Sequence, residues 1–166
     1  MKRSLIAIVL CLLLVAGCGS DSSSTSSTAA ETAAEETAPE AAGENKTKPK
    51  VAVPSGAPPK KLVIEDLEEG SGPAAKAGDE VTVQYVGVDY KTGSQFDASW
   101  DRGEPFTFVL GNGEVISGWD QGIEGMKAGG RRELIIPPNL GYGPQAVGEI
   151  APNSTLVFVV DLLAIN

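Results

Sequence analysis

The sequence predicts an α+β domain, a curved antiparallel β-sheet wrapped around one short amphipathic helix, with a disordered tether in front of it. Three observations point there. Every aromatic residue lies between Tyr85 and Phe158, so the core belongs to the later part of the chain. Segments in that part carry the alternation and β-branched composition of strands. One stretch repeats its apolar residues at three- and four-residue steps, the period of a helix.

Lys2 and Arg3 open the chain with positive charge, and Leu5 to Val15 is an apolar run interrupted only by small or sulfur-bearing residues. Charge followed by such a run is the pattern of an export signal. The run is too short to cross about 30 Å of hydrocarbon as a helix, and small residues rather than a positive stop follow it. Leu14-Val15-Ala16-Gly17-Cys18 then resembles the lipobox of bacterial lipoproteins. The resemblance implies that residues 1–17 are a signal peptide and that Cys18 becomes a lipidated N-terminus. Acyl chains contribute about 0.8 kcal/mol per buried methylene, so two or three on one residue anchor stably. Cys11 leaves with the signal, and the folded part then has no thiol to mispair in an oxidising compartment. The protein is therefore expected to be exported and lipid-anchored to the bacterial cell membrane, its domain facing outside the cytoplasm.

Residues 18–60 read as a disordered linker. Ser and Thr dominate Ser20 to Thr28, Ala, Glu and Thr follow to Glu44, and the rest lacks the periodicity of a packed element. No aromatic side chain is available to offset the entropy of ordering it. Pro49, Pro54, Pro58 and Pro59 favour extended backbone near the domain. As a coil, such a tether spans on the order of 35 Å.

The domain is placed at residues 61–166. Leu62 to Leu67 is its first strand candidate. From Val81 the run Val-Thr-Val-Gln-Tyr-Val-Gly-Val alternates and puts Val81, Val83 and Tyr85 on one face, a half-buried strand. Phe106 to Leu110 follows. Ile116, Trp119, Ile123 and Met126 mark the helix, with Ser117 as its N-cap and Gly129-Gly130 as its terminator. Arg132 to Ile136 and Leu156 to Leu163 complete the strands, and the short connections require antiparallel pairing.

Charge and composition exclude several functions. From Leu62 to Asn166 the chain carries 16 Asp and Glu against 6 Lys and Arg, a balance of −10, which repels phosphate backbones and sets nucleic acid aside as a partner. There is no histidine, no thiol beyond Cys18 and no ligand spacing for zinc, so neither a metal site nor a cofactor is expected. Gly111-Asn112-Gly113 opens like a phosphate loop but lacks the later glycine and the Lys-Ser/Thr pair. Asp97, Asp101 and Glu104 suggest a glycosidase pair only weakly, since nothing sets one apart as an acid.

A series of segments does point to a function. Val81 to Gly87, Gly93 to Ser99, Pro105 to Gly111, Glu114 to Gly122, Ile136 to Gly143 and Ile150 to Phe158 resemble, in order and spacing, the FKBP family of peptidyl-prolyl cis/trans isomerases. The resemblance covers essentially all of Leu62 to Asn166. It implies an apolar pocket between helix and sheet that receives a proline ring, with Trp119 as its floor. Tyr85, Phe96, Phe106, Val115, Ile116 and Phe158 are implied as walls, with Glu114 and Ile150 in the substrate pocket. Asp97 and Tyr142 are implied at the rim, Arg102 as the arginine supporting them, and the Ile116 N–H as a donor to a substrate carbonyl. Without the resemblance, Trp119, Phe106 and Phe158 read most simply as core. Two departures bear on substrate preference and macrolide affinity: Pro144 to Gly148 is short and lacks the histidine of many members, and Trp100 stands where a small or polar residue is common, both near the family's pocket mouth.

Such a pocket catalyses without a nucleophile. Amide resonance holds the X–Pro bond planar behind a barrier of about 18–20 kcal/mol. The twisted transition state loses that resonance and much of its charge separation, so a water-poor aromatic pocket favours it over the ground state. The expected protein is a monomeric isomerase acting on X–Pro bonds of unfolded or refolding exported proteins, with a macrolide as a further ligand. The alternative is a proline-recognising binding or chaperone module with incidental turnover.

Overall fold

The computed structural model describes residues 46–166; the signal, Cys18 and the first part of the linker lie outside the described residues. The architecture is the expected α+β one. Strands β1 (Val63–Glu68), β2 (Glu80–Asp89), β3 (Gln95–Ala98), β4 (Phe106–Val109), β5 (Arg131–Ile136) and β6 (Leu156–Ile165) form one sheet, with helices α1 (Ser99–Arg102) and α2 (Ser117–Ile123). The order is β1-β5-β6-β2-β3, every pairing is antiparallel, and β4 also pairs with β2.

Two short strands share one edge of β2. Its first half pairs with β4, from Glu80↔Val109 to Val83↔Phe106, and its second half with β3, from Val86↔Ala98 to Val88↔Gln95. Between them the ladder is interrupted by α1, which leaves the Tyr85 N–H without a strand partner. Ser99 supplies one: the N–H donates to its Oγ at 2.8 Å, and the Ser99 side chain is fully buried. A buried backbone donor left unpaired costs about 1–3 kcal/mol, so this serine is a structural requirement of the interruption. Neither β3 nor α1 was expected from the sequence.

The concave face of the sheet carries the main core. Val81, Val83 and Tyr85 lie there as the alternation requires, with Leu134, Ile136, Leu156, Phe158, Val160 and Leu162 from β5 and β6 and Trp119 and Ile123 from α2. The helix differs from expectation at both ends. Ile116, with extended backbone and no side-chain capping bond, occupies the N-cap, and Ser117 is the first helical residue. The helix stops at Glu124, before Gly125 at φ +82°, rather than at Gly129-Gly130. Arg132 completes that end by donating from Nη1 to the Gly122 and Glu124 carbonyls at 2.8 and 3.1 Å, which satisfies orphan acceptors of the last turn. Met126 is past the helix but buried all the same.

Two glycines let α2 lie flat on β5. A Cβ at Gly118 would fall 2.5 Å from Ile136 Cγ2, and one at Gly122 would fall 2.6 Å from Leu134 Cδ2. Alanine improves helix propensity by up to about 1 kcal/mol, and overpacking costs about 1–3 kcal/mol, so overpacking wins. Gly122→Ala is expected to lower stability by about 1–2 kcal/mol, read as a lower denaturation midpoint at unchanged m-value.

The convex face is also covered, and here the structure departs from the linker expected to run to residue 60. Val86, Val88, Tyr90, Ala98, Ile135 and Val157 form a second cluster, against which Val51, Val53 and Trp100 pack. Upstream, Lys46 Nζ lies 2.7 Å from Glu68 and 3.6 Å from the fully buried Asp161. Arg131 holds Asp161 in a two-point bond at 2.6 and 2.9 Å, and donates at 2.9 Å to the Thr47 carbonyl. Lys48 pairs with Asp101 at 2.5 Å. The segment therefore lies along the sheet as an arm. Its composition is too poor to fold alone, but an apolar sheet face gives two valines something to dock on, and the carboxylates of Glu68, Asp161 and Asp101 do the same for two lysines. Trp100 belongs to this cluster and not to the pocket mouth, because α1 turns its side chain to the convex side.

Candidate active site

Between α2, the concave sheet and the loops after β4 and β5 lies a cavity of about 530 Å³. Trp119 closes its bottom, 4% exposed in the first turn of α2. Four rings surround the indole: Tyr85 at 5.0 Å, Phe158 at 5.3 Å, Phe108 at 5.8 Å and Phe106 at 6.2 Å between centroids, the first two nearly perpendicular to it. Edge-to-face contacts of this kind add about 0.5–1.5 kcal/mol each beyond burial and fix ring orientation. Phe96 stands edge-on to Phe158 at 5.5 Å.

Gly87 makes that last pair possible. A Cβ there would lie 2.7 Å from ring atoms of both Phe96 and Phe158, so the two rings meet over a position where β2 has no side chain.

The rim is a hydrogen-bonded triad. Tyr85 donates its hydroxyl proton to Asp97, and Arg102 donates to Asp97 and, from Nη2 at 2.8 Å, to the Tyr85 oxygen. The Arg102 guanidinium also lies 5.6 Å from the Tyr85 ring centroid. Burial, and then the bond to Asp97, push the Tyr85 hydroxyl above its ordinary range, so it stays a donor at neutral pH. The Tyr85 bond, then that to Asp97, hold Arg102 above its usual value. Tyr142 lines the opposite side, 36% exposed, its hydroxyl raised by burial and then by the Asp97 charge. Arg102 thus bonds Asp97 and Tyr85, where the sequence reading paired it with Asp97 and Tyr142.

Of the residues singled out from the sequence, Tyr85, Phe96, Asp97, Phe106, Glu114 and Val115 line the cavity, as do Ile116, Trp119, Tyr142, Ile150 and Phe158. Arg102 stands behind the rim. The Glu114 carboxylate accepts from Asn112 Nδ2 at 2.9 Å and the Val109 N–H at 3.2 Å, and the first bond, then the second, hold it below the usual carboxylate range. It braces the turn that delivers Val115 and Ile116. The Ile116 carbonyl accepts from Trp119 and Asp120, while its N–H has no acceptor among the described residues. Val147 and Gly148, from the Pro144–Gly148 loop that the resemblance places near the mouth, also line the cavity, as does Glu149, which was not singled out. The signal was the short loop ending at Gly148: it folds into a tight turn closed by reciprocal Val147–Ile150 bonds of 3.1 and 2.9 Å, which sets it over the mouth.

The sheet wrapped on α2 and the aromatic slot floored by Trp119 have the arrangement that the resemblance to prolyl isomerases implies. Residues 72–163 match the family described as FKBP-type peptidyl-prolyl cis-trans isomerase. An FK506-binding protein of Streptomyces anulatus is 59% identical over 120 residues, 71% of this chain and 97% of that protein. Among solved structures, FkpA from Escherichia coli superposes with a TM-score of 0.59 at 47% identity, covering 63% of this chain and 48% of that one. AtFKBP13 superposes with a TM-score of 0.60 at 40% identity, covering 66% of this chain and 96% of that one. The chain belongs to the FKBP-type peptidyl-prolyl cis-trans isomerase family, and its enzymatic class is that of a peptidyl-prolyl isomerase.

Proposed function

We propose that this isomerase acts on X–Pro bonds of exported proteins at a membrane surface, seating the prolyl ring on Trp119. The observation that carries the seat is the indole itself, walled by four rings at its sides in a cavity that opens beside it. There the ring is enclosed by apolar edges, and the twisted imide, having lost its resonance dipole, is favoured over the planar one. The Ile116 N–H, without an acceptor among the described residues, is a donor for a substrate carbonyl at the wall. Asp97, held by Arg102 and Tyr85, presents a fixed negative rim.

Lowering the barrier by about 4 kcal/mol gives roughly a thousandfold acceleration. Exchange NMR on a short X–Pro peptide with the purified protein is expected to show cis/trans exchange far faster than the uncatalysed tens to hundreds of seconds. A rate unaffected by the protein rejects the assignment. The same cavity is proposed to take part of a macrolide, a ligand of the kind in the Streptomyces anulatus relative's name.

The membrane surface is supported by the apolar run and the Leu14-Val15-Ala16-Gly17-Cys18 motif. Cys18 is proposed to carry the lipid, and the monomeric domain to work from the tether's end. In cells fed a labelled fatty acid, the parent protein is expected to take up label and sediment with membranes. Cys18→Ser should do neither; equal labelling of the two contradicts the anchor.

A further inference from the structure

A second, larger hollow adjoins the prolyl pocket. It measures about 1230 Å³ and shares Phe96 and Glu149 with that pocket, so the two lie side by side at these side chains. One wall is the arm, at Val53 to Gly56 and Pro58; the facing wall is the turn from Asp89 to Ser94 that joins β2 to β3. The first of these lies before the segment that matches the family, which begins at residue 72.

Both walls are held in place. The Asp89 carboxylate accepts from the Lys91 and Thr92 N–H groups at 3.0 and 2.9 Å and from the Thr92 hydroxyl at 3.1 Å. The arm is fixed upstream by Val51 and Val53 in the convex cluster and by the Lys48–Asp101 pair. Pro54 and Pro58 restrict the backbone, which reduces the entropy lost in forming the wall. Their rings give it apolar faces beside the polar groups of Ser55 and Gly56. An extended polypeptide offers the complement, backbone N–H donors and side chains in need of apolar contact.

We propose that this groove is a subsite for the client polypeptide flanking the prolyl residue, and that the arm thereby takes part in substrate selection. The inference rests on the prolyl seat described above: a chain whose proline lies on Trp119 and which leaves past Phe96 and Glu149 enters the groove directly. Glu149, at the junction, forms no ion pair among the described residues and favours a cationic client side chain there.

The test compares kcat/KM of the full chain on a blocked tetrapeptide and on a dodecapeptide with the same central X–Pro pair. The dodecapeptide is expected to be preferred about fivefold, the effect of one substantial contact. Ser55→Trp on the arm and Ser94→Trp on the facing turn fill the groove from opposite walls, and each should abolish the preference. A variant that is partly unfolded loses rate on both peptides and leaves their ratio alone, so misfolding does not mimic the result. Equal rates on the two peptides, or a preference that survives both substitutions, overturns the proposal. Catalysis of neither peptide by the parent chain removes the prolyl seat and this subsite together.

Discussion

Trp119→Leu is expected to cost about 2–3 kcal/mol of stability and at least tenfold in kcat/KM on X–Pro peptides. The indole is 4% exposed and has Tyr85, Phe106, Phe108 and Phe158 around it, so its removal takes away a ring that four others are oriented upon. Leucine fills part of the volume and keeps the site apolar, which holds the loss below the about 3–5 kcal/mol of a large-aromatic-to-alanine change. The kinetic loss has a separate cause. A branched aliphatic end is a poorer fit to the flat face of a prolyl ring, and the freed neighbours close over the seat. Denaturant unfolding and peptide exchange measured on one preparation check the two numbers independently. Parent-like exchange from a folded variant would show that the indole is core and nothing more.

Gly87→Ala should also reduce kcat/KM at least tenfold, although the residue presents no side chain to the pocket. An added Cβ would sit 2.7 Å from both Phe96 and Phe158, so one of the two rings has to swing away. Either motion deforms the pocket wall that these two rings build, and the sheet itself absorbs little because Gly87 pairs with Phe158 on β6 and Asp97 on β3. The expected stability cost is about 1–3 kcal/mol. Mapping the variant by NMR is expected to place the shift changes at Phe96, Phe158 and Trp119. A fully active variant would mean that the rings are free to relax, contrary to their packing.

The parts legible in the sequence were those fixed by local period or by strong residue type. Alternation located Val81, Val83 and Tyr85 on the concave face, and a three-four step located Trp119 and Ile123 on α2. The helix ends were misplaced, because Ser117 and Gly129-Gly130 have the right residue types and yet Ile116 and Gly125 have the backbone geometry. β3 was too short, at 4 residues, to show a period, and it exists because β2 offers it an edge. Ser99 reads as a loop hydroxyl and proves to be a buried acceptor for a strand N–H. The arm was hidden for a related reason. Val51 and Val53 look like scattered residues in a linker until the sheet's convex face, assembled from distant strands, gives them a surface. The pocket residues emerged only through resemblance, since one sequence does not distinguish an aromatic in a core from an aromatic in a slot. Trp100 shows the limit of that route: its position in the family pattern suggested the mouth, and its packing is against the arm's cluster.

The central claim is that a client's prolyl ring rests on the Trp119 indole. Intermolecular nuclear Overhauser effects in a complex with an X–Pro peptide test it most directly. Cross-peaks from the proline ring protons to the Trp119 indole, accompanied by peaks to Phe96 and Phe158, are the predicted result. Cross-peaks to another surface, with exchange still accelerated, would contradict it.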